Sequence, residues 1–117
     1  MPSDAAETAL YAIRDNIRLA KGFVEGLTYE QFRVSSLHVY GVTRALEIIS
    51  EASRRLPDEM RARHPNLPWR SIRDVGNFYR HEYDIVLDSY LWATVQDHLS
   101  PLEAAVEAEI AEIEGRQ

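Results

Sequence analysis

Apolar residues recur along nearly the whole chain at the three- and four-residue spacing of an α-helix, and no segment shows the alternation of a strand. Leu10, Ile13, Ile17, Ala20, Val24 and Leu27 form one such stripe, with Arg14, Asp15, Arg18, Lys21 and Glu25 mostly off it. Asp4 followed by Glu7 predicts the start of that helix, and Gly26 lies near its natural stop. Thr28-Tyr29-Glu30-Gln31 reads as a capping box that opens a second long helix. Its inner stripe is Phe32, Ser36, Val39, Thr43, Leu46, Ile49, Ser53 and Leu56, and the small polar members Ser36, Thr43 and Ser53 predict close approach of a neighbouring helix. Leu56-Pro57 ends it.

A short helix over 58–63 is expected next, then the rigid connection His64-Pro65-Asn66-Leu67-Pro68. Helical spacing returns from Trp69 to Arg80 through Trp69, Ile72, Val75 and Tyr79, with Gly76-Asn77 a weak point inside it. Another helix over Ile85–Leu99 aligns Leu87, Leu91, Val95 and Leu99. Ser100-Pro101-Leu102-Glu103 then reads as a fresh start, with Ser as N-cap and Pro in the first helical position. Leu102, Val106, Ile110 and Ile113 face inward on this last helix. The expected architecture is all-α: a single-domain bundle of four to five helices, the long ones running up and down, over residues 1–117.

Charge narrows the function classes. The 13 Lys and Arg against 19 Asp and Glu give −6, which argues against a surface that coats nucleic acid generally. The charge is uneven, however. From Arg54 to Tyr83 there are seven arginines against four acids, so that window is +3 and the rest of the chain is −9. With no cysteine there is no disulfide, thiol nucleophile, Cys-ligated zinc or iron–sulfur cluster. No apolar run approaches the length of a membrane span, and Met1-Pro2-Ser3-Asp4 does not resemble a signal peptide. A cytoplasmic location is the expectation.

Carboxylate-bridged metal in a bundle needs Glu-x-x-His repeats, but Ser35, Arg61, Phe78 and Val95 stand three residues before the four histidines. Glu47 and Glu51 share a helical face and read as a solvated or salt-bridged pair. No phosphate-cradling Gly-rich loop or nucleophile elbow is present. The densest polar cluster runs from Trp69 to Asp84 and holds Arg70, Arg73, Asn77, Arg80, His81 and Tyr83. Such a set suits a phosphodiester. Arginine offers a fork of donors to phosphate oxygens, and histidine exchanges protons near neutral pH. Asn77, one turn before His81, is placed to orient it or hold a phosphate, and Tyr83 adds a hydroxyl. The competing reading is a solvated arginine face with a structural histidine. Trp69 and Trp92 read as core anchors, His64 as a surface-loop residue, and His38 and His98 carry no constellation.

Ala45-Leu46-Glu47-Ile48-Ile49-Ser50-Glu51-Ala52-Ser53-Arg54-Arg55-Leu56-Pro57, Leu67-Pro68-Trp69-Arg70-Ser71-Ile72-Arg73, and Asn77 followed by His81-Glu82-Tyr83 resemble, in order and spacing, blocks of the HepT-like family of the α-helical HEPN group. The resemblance implies a toxin of a toxin–antitoxin pair: a metal-independent, cofactor-free ribonuclease acting on RNA as a homodimer, with the motifs meeting in the dimer cleft. It also implies a partner antitoxin, a minimal nucleotidyltransferase of the MntA kind, which transfers AMP to the motif tyrosine, here Tyr83. The family motif is an arginine followed a few residues later by His-x-Tyr. Here His81-Glu82-Tyr83 is intact, while Gly76 stands where the family often has arginine. Arg73, some 12 Å from His81 along a regular helix, and the adjacent Arg80 are the arginines left to serve phosphate. The resemblance thus assigns His81 as general acid/base, Arg73 and Arg80 to phosphate, Asn77 to orientation and Tyr83 to substrate positioning and AMP acceptance. The alternative function is a non-catalytic helical adaptor that docks on a nucleotidyltransferase.

Overall fold

The computed structural model describes residues 4–78 and 84–116, with the side chains of 75–87 outside the description. All described regular structure is helical: α1 (Asp4–Val24), α2 (Tyr29–Arg33), α3 (Ser36–Ser53), α4 (Asp58–Ala62), α5 (Trp69–Phe78), α6 (Asp84–Ala93), a π turn (Thr94–His98) and α7 (Leu99–Glu114). α1 lies between α3 and α7, and α5 packs on α3. α2 lies against α6.

The amphipathic stripes become the core. On α1, Leu10, Ile13, Ile17, Ala20 and Val24 are buried, and they meet Val39, Val42, Leu46 and Ile49 of α3 and Leu102, Val106, Ile110 and Ile113 of α7. Burial on this scale is the main stabilising term, because each apolar side chain removed from water contributes roughly 1.5–3 kcal/mol. α1 ends at Val24, and the turn after it uses Gly26, whose φ of +78° lies in the left-handed region that glycine enters without strain. Gly41 serves a different need. A Cβ there would stand 3.1 Å from the Phe23 ring, so the bare backbone lets α1 and α3 close on each other.

Two boundaries differ from the sequence expectation. The helix opened by Thr28 is capped as predicted, with Thr28 Oγ1 accepting from Gln31 N and Gln31 Oε1 accepting from Thr28 N. It ends after one turn instead of running on, because Ser35 turns extended (φ −105°, ψ 102°) and restarts the chain as the N-cap of α3. Its hydroxyl lies 2.6 Å from His38 Nδ1 and accepts from His38 N at 3.4 Å. Such local bonding of serine competes with continued helix. The break leaves Ser36 exposed, so it mediates no helix contact, whereas Ser53 is fully buried and donates to Ser50 O.

The second difference is at Ser100-Pro101, which opens no new helix. The chain passes from α6 through the π turn directly into α7, already helical at Leu99. Proline lacks the amide that an α-helix would bond four residues back. A widened turn just before it accommodates both the missing donor and the ring. Ser100 instead receives a hydrogen bond from Lys21 Nζ (2.8 Å), which also pairs with Glu103 (2.7 Å), tying α1 to α7.

Trp69 and Trp92 pack against the core as anchors, Trp92 between Tyr29 and Phe32 at ring-centroid distances of 5.9 and 5.5 Å. No helix among the described residues is long and apolar enough to cross a membrane.

Candidate functional site

The described part of the candidate cluster lies on α5, so what holds α5 matters first. Its start is fixed by Trp69. The indole Nε1 donates to the carbonyls of Arg61 (3.1 Å) and His64 (3.0 Å), capping the end of α4 and the connection after it. Leu67 is buried beside it, and Ile72 packs on the core from the next turn.

The same connection is clamped to α7. Glu109 is a buried carboxylate that accepts two bonds from Arg63 (2.7 and 3.1 Å) and lies 2.7 Å from His64 Nε2. His64 is therefore no free surface-loop residue, because its ring is engaged with the far helix. Sequence spacing did not show this, since Glu109 is 45 residues away. The Arg63 guanidinium, with His64 assisting, holds the Glu109 carboxyl below the usual carboxylate range against the opposing effect of burial.

Further along, α5 is bonded to α3. The Arg73 carbonyl accepts from Ser50 Oγ at 2.6 Å and from Arg54 Nη2 at 2.8 Å. Arg73 itself is half-buried. Its Nε is shielded from solvent and has no acceptor. Arg70, three residues before it on the same face, is exposed. Arg54 is the residue that sequence reasoning missed. Its neighbour Arg55 bonds back to Glu51 at 3.5 Å in an i,i+4 pair that spacing announces, whereas the Arg54 partner is a carbonyl 19 residues on. Glu47 behaves as expected and pairs with Arg44 at 3.9 Å.

Of the sequence-predicted site residues, Arg73 is thus placed on α5 against α3. Asn77 continues α5 at the level of the backbone, and its side chain is outside the description. Arg80, His81 and Tyr83 lie outside the described residues, between α5 and α6 in chain order. Beside α5 is a cavity of about 250 Å³, lined largely by apolar groups of Leu46, Ile49, Ile72 and Leu102, with Tyr90 and His98 at its edge. Burial pushes the Tyr90 hydroxyl above its usual pKa.

This arrangement brings together two of the sequence blocks singled out above. The Ser50–Arg54 stretch is hydrogen-bonded to the Trp69–Arg73 stretch, and the third block begins at Asn77 within α5. A family described as "Ribonuclease HepT-like" matches residues 13–109, which span all three blocks. The chain belongs to the HepT-like ribonuclease family. A protein of Thermococcus cleftensis named as a ribonuclease HepT is 33% identical to this HepT-like chain over 81% of it and 86% of the relative. A protein of Methanocaldococcus jannaschii named as an RNase is 32% identical over 84% of this chain and 90% of its own. Another RNase-named protein of the same organism is 27% identical over 99% of this chain and 96% of its own. No solved structure matches the chain.

Proposed function

We propose that this HepT-like protein is the toxin of a toxin–antitoxin pair, a metal-independent endoribonuclease that works as a homodimer in the cytoplasm. What carries the proposal is the family match over residues 13–109, which contain His81-Glu82-Tyr83 and the α3–α5 pair that precedes it. The ribonuclease names of the relatives support RNA as the substrate.

In the proposed reaction the ribose 2′-oxygen attacks the adjacent phosphorus, and its proton passes to a base. The bond from phosphorus to the 5′-oxygen breaks, and that oxygen takes a proton from an acid. His81 serves as the acid/base group, since an imidazole exchanges protons near neutral pH. Arg73 and Arg80 bind the phosphate and stabilise the charge that builds on its oxygens. Asn77 orients, and Tyr83 positions the substrate.

The partner in this proposal is a nucleotidyltransferase of the MntA kind that transfers AMP to the Tyr83 hydroxyl. AMP there adds a negative charge and bulk to a site shaped for phosphate and so keeps RNA out. Homodimerisation is supported by an exposed apolar face on which Val34, Leu37 and Tyr40 are 73%, 78% and 74% exposed. The test is intact mass after co-expression with the partner enzyme. The expected result is an adenylyl increment that maps to Tyr83 and disappears in Tyr83→Phe. An increment unchanged in Tyr83→Phe contradicts the assignment of the acceptor. A chain that binds the partner and never cleaves RNA would instead be an adaptor.

A further inference from the structure

The distribution of ion pairs singles out one patch. Among the described residues, every lysine and arginine but three has a carboxylate partner, the longest such pair being Arg44–Glu47 at 3.9 Å. The three without an acidic partner are Arg54, Arg70 and Arg73, and they are neighbours. Arg70 and Arg73 lie three residues apart on one face of α5, and Arg54 is hydrogen-bonded to the Arg73 carbonyl.

On a chain of net charge −6 carboxylates are plentiful, and elsewhere they are used to neutralise cations. The exposed Asp74 beside this patch pairs with none of its arginines among the described residues. The patch also holds a buried donor, Arg73 Nε, that no protein oxygen accepts. Finally, the patch is held in place. Arg54 and Ser50 both bond to the Arg73 carbonyl, so the guanidinium groups stand on two helices locked to each other.

We propose that Arg54, Arg70 and Arg73 form a phosphate track that binds the RNA backbone on the α3–α5 side of the reacting phosphodiester. The inference rests on the ribonuclease reading above and adds Arg54 and Arg70 to it as substrate-positioning residues. The observations favour RNA over an acidic protein partner for two reasons. The forked guanidinium suits phosphate oxygens, and α5 leads by chain order into the stretch that holds His81 and Tyr83. The −9 carried by the rest of the chain repels a polyanion from other surfaces and directs it to this one.

The experiment measures binding of a fluorescent single-stranded RNA of mixed sequence to the full-length His81→Ala chain across a salt series. Arg54→Gln and Arg70→Gln are then each added to that background. Arg44→Gln and Arg116→Gln, which remove cations already paired, are the controls. Cleavage by the wild-type chain and binding of each variant to the partner nucleotidyltransferase are followed in parallel. The Arg70 side chain makes no hydrogen bond within the described residues, so Arg70→Gln keeps the test decisive if Arg54→Gln loosens α5. The expected result is about threefold to tenfold weaker binding for each track variant, with the slope of log K against log salt flattened by about 0.7, and controls like the parent. Track variants that bind RNA as the parent does, while the wild type still cleaves, overturn this inference and leave the ribonuclease reading standing. Track variants that keep RNA and lose the nucleotidyltransferase overturn it in favour of a protein-docking patch. A wild-type chain that neither binds nor cleaves RNA overturns both readings.

Discussion

Glu109 shows what single residues do in this fold. It is a carboxylate inside α7 whose charge is kept by Arg63 and His64 across a gap of about 45 residues in sequence. Because its carboxyl titrates below its unfolded value, the stabilisation it provides is complete above that unfolded value. It is lost as pH falls through the lower, folded value. Glu109→Gln is expected to lower stability by about 1–2 kcal/mol in urea unfolding at neutral pH, and the deficit should shrink in acid. A deficit that grew in acid would contradict the direction assigned to this group.

The same scale explains what the sequence hid. His81, Tyr83, Arg73 and Asn77 are proposed from the sequence because they are close in it and of types that handle phosphate. Arg54 and His64 were not legible, because each acquires its meaning from a tertiary partner, the Arg73 carbonyl and the Glu109 carboxylate respectively.

At the scale of elements, periodicity reported faces better than ends. The α1 and α7 stripes were readable because an amphipathic helix must bury one face, and their predicted inner residues are the core. Ile13 is fully buried at the centre of this packing, and Ile13→Ala is expected to cost about 2–5 kcal/mol in the same unfolding measurement. Helix ends depend on finer competition. The Thr28 box was legible, since both of its bonds are local. The Ser35 break was not, since helical spacing runs through it from Phe32 to Val39, and a serine hydroxyl bonded to His38 marks the restart. Ser35→Ala is expected to cost about 0.5–2 kcal/mol through loss of the α3 cap. A stability equal to wild type would show that the bend is imposed by packing alone. The Ser100-Pro101 signal failed for the opposite reason. It is a strong start motif in isolation, but the π turn before it absorbs the proline inside a continuing helix.

For the whole molecule, net charge is the less informative number and its placement the more informative one. Outside the α3–α5 seam the described cations are matched by carboxylates, and at the seam they are not, which gives an acidic body with one locally basic surface. The proposed second copy belongs to this scale too. Leu37→Glu on the exposed apolar face is expected to leave the helical signal intact and halve the mass seen by light scattering. An unchanged mass would place the dimer contact elsewhere.

In the proposed function His81 cleaves RNA without metal. RNA cleavage by the wild-type chain and by His81→Ala in excess chelator tests this. Cleavage by the wild type and a loss of about 10²–10⁴-fold in His81→Ala are expected. Equal rates for the two chains, or activity that vanishes with chelator, would contradict it.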